Sequence, residues 1–474
     1  MNLIQELTKN LPKGIIQNSD NLGVFECDGL SVIKHKPKIV VLPTSISQIQ
    51  TIIKLCKKHN TAIIPRGAGT GLTGGATAID NELILGLSRL NKILEINPQE
   101  QYAILEPGVV NAQISKAANQ YGLYYAPDPS SQIACTIGGN VAQNSGGVHC
   151  LKYGLTVHNI IALKYLNTDG KIIELHKNNT NLGLLSLLIG SEGLLGLVIE
   201  ITVKLLKIPQ KSEVIMAGFD DITDCANAVG DIIKGGVIPA GLEMMDEFAI
   251  SAAEDFAKAG YPQAQALLLC ELDGTSAEIE RDKIIAIQAL EKSSSIKIAK
   301  EESKKALLWK GRKSAFPAVG RLSPDYYCMD GTIPKRHLAA MLTKINELSK
   351  KYNLRVANVF HAGDGNLHPL ILYDANISNE LEKAESFGED ILKSCVDFGG
   401  SITGEHGVGL EKLNSMCYQF KTKELEIFHK IKAVFDEAKL FNPGKAIPEL
   451  NRCAETGKMH IHNNQMQFPH LDRF

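Results

Sequence analysis

Pro65-Arg66-Gly67-Ala68-Gly69-Thr70-Gly71-Leu72-Thr73-Gly74-Gly75-Ala76 is the stretch from which the rest of the chain is read. It places five glycines and one arginine in twelve residues, directly after the apolar run Thr61-Ala62-Ile63-Ile64. Glycine admits positive φ and lets bare N–H groups approach a ligand, so such a run reads as a cradle for a phosphate or pyrophosphate. Gly69-Thr-Gly71-Leu-Thr-Gly74 also matches G-x-G-x-x-G, but that fingerprint needs a helix opening at its second half and an acidic residue about 20 positions on. Here Asp80-Asn81 leads into the strand-like Glu82-Leu-Ile-Leu-Gly-Leu87, and no amphipathic helix starts. A P-loop would need Lys-Ser/Thr where Gly75-Ala76 stand. A ligand-free glycine hairpin competes, and Arg66 weighs against it: a positive fork at the mouth of an N–H nest suits a diphosphate.

The surroundings fit a small-molecule enzyme. The 474 residues are 44% hydrophobic and 22% charged, enough for two or three domains, and a net charge of −2 offers no basic field for nucleic acid. Ten cysteines are scattered without a C-x-x-C pair, which argues against a zinc ribbon or iron–sulfur cluster in this chain and for free thiols of a cytoplasmic protein. The longest apolar run, Leu182 to Ile189, is far below the ~18–20 residues of a membrane span. Direct membrane insertion is not expected, and association through a partner is.

Along the chain, residues 1–36 read as an N-terminal helical segment and 37–208 as alternating strands and helices. The strand Lys38–Leu42, a helix from Ser45 to Asn60 and the strand Thr61–Ile64 deliver the glycine loop; a helix is expected over Asn111–Tyr121 and a strand over Leu197–Leu205. A second region, Pro127-Asp128-Pro-Ser130-Ser131 through Cys135-Thr136-Ile-Gly138-Gly139-Asn140, Asn144-Ser145-Gly146-Gly147 and Lys152-Tyr153-Gly154, reads as loop. A third turn, Gly190-Ser-Glu192-Gly193, follows. Pro209-Gln210 marks a boundary, and 209–400 reads as a second, ferredoxin-like α+β domain capping the first. Residues 401–450 return to the first domain, ending on Asn442-Pro-Gly-Lys445, and 451–474 form an Asn/Gln/His-rich tail.

His361-Ala-Gly-Asp-Gly-Asn-Leu-His368 carries the sharpest chemistry. A four-residue Gly-Asp-Gly-Asn hairpin loop would set His361 directly across from His368, with Cβ atoms roughly 5 Å apart, close enough to share one metal ion. Two core histidines satisfied by backbone carbonyls is the competing reading. Gly404-Glu405-His406-Gly407 adds a carboxylate that would complete a His-His-Glu set, leaving His406 free to act as a base; a turn or helix cap competes. Lys310-Gly-Arg312-Lys313, with Arg321 beyond, offers a clamp for a carboxylate or else a solvated helix face.

Taken together, Arg66-Gly-Ala-Gly-Thr-Gly71, Pro127-Asp-Pro-Ser-Ser131, Ile137-Gly-Gly-Asn140, Gly190-Ser-Glu-Gly193, His361-x6-His368, Gly404-Glu-His-Gly407 and Asn442-Pro-Gly444 resemble the FAD-linked oxidases with a p-cresol methylhydroxylase-type flavin domain. The chain is most similar to their D-2-hydroxy-acid dehydrogenase group, from about Pro37 onward; the segment 316–327 and the tail resemble glycolate-oxidising subunits within it. The resemblance implies an α+β fold with a two-subdomain flavin domain, a ferredoxin-like cap and a helical C-terminal return. It implies FAD held by Arg66, Gly67, Ala68, Gly69, Thr70, Gly71, Pro127, Asp128, Ser130, Thr136, Gly138, Gly139, Asn140, Ser145, Gly146, Gly147, Tyr153, Gly154, Glu192, Gly193, Val198 and Asn442. Some relatives tether the flavin through a histidine where this chain has Thr70, so FAD is expected to be noncovalent.

By the same likeness His361, His368 and Glu405 match ligands of a divalent metal (zinc, manganese or iron), His406 the catalytic base and Arg312 the carboxylate-binding arginine. Relatives acting on larger diacids carry a polar residue two positions after the second histidine; Leu370 stands there, which favours a small 2-hydroxy acid, glycolate or D-lactate, oxidised to the 2-oxo acid by hydride transfer to FAD. With no cluster-forming cysteines, electrons are expected to leave to dissolved oxygen, a quinone or a partner subunit, and the resemblance favours partners, a second flavin-type subunit and an iron–sulfur subunit. A stand-alone D-lactate dehydrogenase and a non-catalytic flavin-binding scaffold are the alternatives.

Overall fold

The computed structural model describes residues 2–11, 14–16, 19–80, 82–178 and 182–449; the tail 451–474 lies outside the described residues. The helix Ile46–Lys58 forms where Ile49, Ile52, Ile53 and Cys56 share one face and the Ser45 hydroxyl accepts the Gln48 N–H. That face covers a small sheet in which Ile39–Val41 and Ile63–Arg66 flank Leu83–Gly86, all parallel. As expected, no helix follows the glycine loop; the chain runs through turns from Gly67 to Asp80. A second, five-stranded antiparallel sheet lies beside it, with Leu197–Lys204 between Tyr102–Leu105 and Ile160–Leu166. The alternation of buried and half-buried residues along Leu197–Lys204 shows a sheet with one face in the core.

Two local expectations change. The helix over Asn111–Tyr121 is α-helical only to Ala118 and tightens into a 3-10 turn at Asn119–Tyr121. Ile137–Gln143, expected as loop, is a helix whose first turn is capped by Thr136 Oγ1 accepting from Gly139 N at 3.3 Å. Its glycines serve packing rather than turning: a Cβ on Gly138 would lie 2.7 Å from Pro107 Cβ and 2.8 Å from its carbonyl oxygen.

The second domain alternates strand and helix from Lys211 to Ala299, with Asp221, Asp246 and Thr275 each capping a helix through a side-chain oxygen. All its strands pair antiparallel. The sheet extends past the expected ferredoxin-like layer: Gly241–Asp246 is flanked by Val356–His361, which leads through Asn366–Tyr373 to Asp325–Cys328. Helices bury both faces, Val229, Ile345 and Phe387 on one side and Ala253, Leu308 and Ala318 on the other.

The C-terminal segment returns to the glycine loop. Asn442 N donates to Ile63 O at 2.9 Å, Asn442 Nδ2 to Gly75 O at 3.1 Å, and Lys445 Nζ to Gly75 O and Thr77 O at 3.0 and 2.6 Å. Among the described residues no helix is long and apolar enough to cross a membrane.

Candidate active site

The glycine-rich stretches meet at one cleft, whose walls include Arg66, Gly67, Thr136, Gly138, Gly139, Gly193 and Val198. Close approach explains the glycines: a Cβ on Gly67 would lie 2.5 Å from Thr136 Oγ1, and one on Gly193, at φ 73°, 3.1 Å from Pro65 Cγ. The Arg66 guanidinium, expected at a diphosphate, lines the cleft and also holds the loop together. It donates to Cys27 O at 2.9 Å and Ala76 O at 3.2 Å, lies over the Phe25 ring and closes against Gly69.

Other expected cofactor residues also spend their side chains on the protein. Asp128 pairs with His149 Nδ1 at 3.0 Å and Lys313 Nζ at 3.3 Å, and Tyr153 donates to Asp273 at 2.5 Å, both reaching toward the cap. The Glu192 carboxylate accepts Val408 N and Gly409 N at 2.8 Å each. Asn140 accepts from Asn111 Nδ2 at 3.0 Å, the Ser145 carbonyl accepts from Thr156 N and Oγ1, and Ser130 is exposed. Pro127 O accepts from Asn111 Nδ2, while Ala68, Thr70 and Gly71 stay on the glycine loop and Gly154 turns the chain at φ 78°.

The second centre lies at one end of the cap sheet. The hairpin register differs from the expected one: His361 pairs with Asn366, Phe360 with Leu367 and Val359 with His368, so the four loop residues are Ala362–Gly365. The histidines are therefore diagonal neighbours rather than directly opposed, but a two-residue offset keeps them on one face. Their ring centroids are 5.1 Å apart. Gly365, at φ 83°, makes this turn where a Cβ would strike Ile333 O.

Glu405 joins them, its Oε1 lying 3.4 Å from His361 Nε2 and 3.0 Å from His368 Nε2. Both imidazoles are oriented from behind, His361 Nδ1 by Glu243 at 2.8 Å and His368 Nδ1 by the Met329 carbonyl at 3.3 Å. This leaves both Nε2 atoms aimed at one point with the carboxylate, an arrangement that suits a metal ligand set held by outer partners. Electrostatics agree: burial opposes the charge on His361, yet Glu243 and Glu405 hold its pKa well above the usual range, so this pocket demands positive charge. Burial likewise opposes the Glu405 charge, and His361 and His368 overcome it. The residues therefore fit a divalent ion. A second grouping, Cys328, His368 and His406, shares His368.

His406 stacks on His368 with centroids 4.9 Å apart. Burial pushes its pKa down to about 4, Asp330 opposing and His368 and Lys412 adding to the shift, so it is neutral and proton-accepting at neutral pH. Arg312 is 1% exposed, its Nη2 2.5 Å from Glu243 Oε2. That contact is an ion pair, and Nε has no hydrogen-bond partner. The flavin-side loop abuts this centre: a Cβ on Gly146 would lie 2.5 Å from Glu405 Oε2, and one on Gly147, at φ 150°, 2.5 Å from Asp128 O.

Sequence reasoning missed Glu243, Asp330 and Lys412. Glu243 is 1% exposed in the otherwise apolar Gly241-Leu-Glu-Met-Met245, and a carboxylate inside such a strand was the available signal. Asp330 and Lys412 are buried against each other at 3.0 Å, and nothing local in sequence marks the pair.

A glycine-lined cleft domain with an antiparallel capping sheet defines the two-domain flavin oxidase class. Solved p-cresol methylhydroxylase shares this fold, at a TM-score of 0.78 and 16% identity, over 95% of this chain and 97% of its own. Alkyldihydroxyacetonephosphate synthase shares it at 0.74 and 18%, over 94% of this chain and 85% of that one. Residues 37–176 match the FAD binding domain family and 208–446 the C-terminal domain of FAD linked oxidases, and the chain belongs to the FAD-linked oxidase family.

It is 51% identical to the glycolate oxidase subunit GlcD of Escherichia coli K12 over 466 residues, covering 97% of this chain and 93% of that one. Identity is 37% to the Bacillus subtilis GlcD, covering 93% and 97%. It is 30% to a D-lactate dehydrogenase of Anaerostipes hadrus, covering 94% and 96%. The chain is accordingly an FAD-dependent oxidoreductase.

Proposed function

We propose that this chain oxidises glycolate, and D-lactate alongside it, to the 2-oxo acid, as the catalytic subunit of a multi-subunit oxidase. The observation that carries this reading is the cluster of buried His361 and His368 with half-buried Glu405 and His406, Arg312 beside it, in a chain half identical to a glycolate oxidase subunit.

FAD, when bound along the glycine-lined cleft, supplies the two-electron acceptor for the hydride from substrate C2. A divalent ion of zinc, manganese or iron type, when held by His361, His368 and Glu405, supplies Lewis acidity at the substrate hydroxyl. The chain does the rest. Arg312 is paired with Glu243 through Nη2 while its Nε has no hydrogen-bond partner, and a substrate carboxylate satisfies it while fixing which face of C2 is presented. His406, neutral through burial, takes the hydroxyl proton on a ring nitrogen. Leu370 is fully buried two residues past His368, so no polar group waits there for a second carboxylate and the substrate is a small monoacid. Thr70, with no imidazole on the glycine loop, supports noncovalent FAD.

Electrons then pass to partners, which we take to be a second flavin-type subunit and an iron–sulfur subunit; the chain's similarity to a named oxidase subunit supports this. The D-lactate dehydrogenase similarity supports the second reading, a self-sufficient D-lactate dehydrogenase. Anaerobic mixing of the purified FAD-loaded chain with D- and L-2-hydroxy acids tests both. Bleaching of the flavin by glycolate is expected. Bleaching by D-lactate alone would move the assignment to the second reading, and no bleaching by any 2-hydroxy acid with metal supplied would leave a flavin-binding scaffold.

A further inference from the structure

The loop that carries Glu405 and His406 is short, rich in glycine and free of regular secondary structure, yet it must hold two functional side chains in register with a hairpin from another part of the chain. Its backbone is gripped by two buried carboxylates, one from each domain. Asp330 of the cap is fully buried and accepts Gly404 N at 3.1 Å, Glu405 N at 3.1 Å and His406 N at 2.9 Å, together with Thr403 Oγ1 at 2.6 Å. Lys412 Nζ closes the nest, 3.0 Å from the same carboxylate. Glu192 of the flavin domain takes the next two amides, Val408 N and Gly409 N, one on each oxygen at 2.8 Å. Gly407 lies between the two grips at φ 83°, where a Cβ would strike Gln143 and lie 2.8 Å from Glu192 Oε1.

Three consecutive amides on one carboxylate and two on the other leave the loop little freedom, and hydrogen bonds to a charged acceptor are about twice as strong as neutral ones. Glu192 also adjoins the cofactor cleft. It is held at φ 51°, its amide donates to Ala142 O at 2.8 Å, its carbonyl accepts Asn442 Nδ2 at 2.9 Å, and the following Gly193 lines the cleft wall. One side chain therefore spans from the cleft wall to the base loop.

We propose that Asp330 and Glu192 are positioning residues: from opposite domains they fix the Gly404–Gly409 backbone, and through it the placement of Glu405 against the two histidines and of His406 over His368. This rests on the function proposed above only for what the positioned groups do; the grip itself is read from the backbone. It reassigns Glu192, expected at the cofactor, to the junction between cofactor domain and base loop. Neither residue touches the reacting atoms, so both act through Glu405 and His406.

The experiment uses the full FAD-loaded chain and the charge-removing variants Asp330→Asn and Glu192→Gln, with three readouts. Amide hydrogen exchange across 401–411 should rise at Gly404 to His406 in Asp330→Asn and at Val408 and Gly409 in Glu192→Gln, each leaving the other group protected. The limiting rate of flavin reduction by glycolate should fall ~10²-fold, as for a group misplaced by about an ångström, with KM changed far less and FAD content kept. Calorimetric affinity for Mn²⁺ alone should weaken ~10-fold in Asp330→Asn, the usual cost of losing an outer partner of a metal ligand.

Exchange that rises while both the reduction rate and the Mn²⁺ affinity stay within twofold of the parent would overturn the proposal, as would amides that stay protected in both variants. His361→Ala separates the underlying reading: if it binds Mn²⁺ as the parent does, the metal assignment fails, and the exchange and rate data still decide the grip. Should Asp330→Asn lose FAD or fold poorly, Glu192→Gln carries the same test from the other domain.

Discussion

In the cofactor cleft, Gly67 passes Thr136 and Gly138 passes Pro107 with no room for a Cβ, and the walls are mostly backbone and small side chains. In the histidine–carboxylate centre the opposite holds: Glu243, Arg312, His361, His368 and Asp330 are each at most 4% exposed, so charge is packed against charge. The cleft works by omission, since glycine lets its wall segments approach one another closely. The centre works by compensation, since each buried charge is tolerable only because a neighbour offsets it. A defect in the cleft should therefore cost affinity for the cofactor, whereas a defect in the centre should cost rate and metal while the cofactor stays.

The largest effect should follow removal of the carboxylate that the two histidines share. Glu405→Gln should lower flavin reduction by ~10³-fold and weaken metal binding, within the range for lost metal-assisted and acid–base chemistry, with the FAD spectrum retained. Stopped-flow reduction and a metal titration check it together, and loss of FAD would break the division between the two regions. Next comes Gly138→Val. Its Cβ would press on Pro107 backbone that cannot yield, so FAD affinity should fall by ~10²-fold or more while Mn²⁺ affinity is unchanged. Fluorescence titration of the apoprotein with FAD measures it.

Two smaller effects concern charge outside the reacting groups. Burial raises the Glu411 pKa to about 7, with the Lys412 charge opposing, and both its carboxylate oxygens are inaccessible. A raised folded-state pKa contributes stability below the unfolded value of 4.5 that is lost as pH rises through 7. Glu411→Gln should match the parent near pH 4 and become the more stable by up to about 3 kcal/mol at pH 8, read from denaturant midpoints. His149 clasps the cap to the flavin domain between Asp128 and Glu271. Burial opposes its charge, but the two carboxylates raise its pKa to about 10, so the clasp contributes fully below pH 6.5 and is lost as pH rises through 10. His149→Gln should cost ~1–2 kcal/mol near pH 6, discounted for the solvent that reaches the pair, and nothing above pH 10.5.

The same contrast governs what was legible in the sequence. The cleft is written in contiguous glycine runs whose meaning is local, so its loops, the missing Rossmann helix and the strand that feeds it were all readable. Yet the glycines of 138–139 misled, because glycine for close packing and glycine for a turn look alike, and a helix stands where loop was expected. Arg66 has a second task that local sequence did not show: besides lining the cleft, it braces the loop through Cys27 O and Ala76 O.

At the centre His361, His368, Glu405 and His406 were legible as two short motifs, and their partners were not. Glu243 reaches His361 from a strand some 118 residues away, and Asp330 reaches Gly404 across 74. Such pairings depend on strand order and register, which local sequence does not encode. The hairpin shows this at its smallest scale, since a register shift of two residues left the histidines on one face and the proximity intact while altering which residues oppose.

His406 is the group on which cleft and centre can be told apart most directly. The decisive measurement is the visible flavin spectrum of the purified His406→Ala chain before and after anaerobic addition of glycolate with metal present. The account predicts full FAD absorbance and no bleaching, against rapid bleaching in the parent. Bleaching at the parental rate would contradict the role of His406 as the base, and absence of FAD would place that residue in the fold of the cleft rather than in the chemistry.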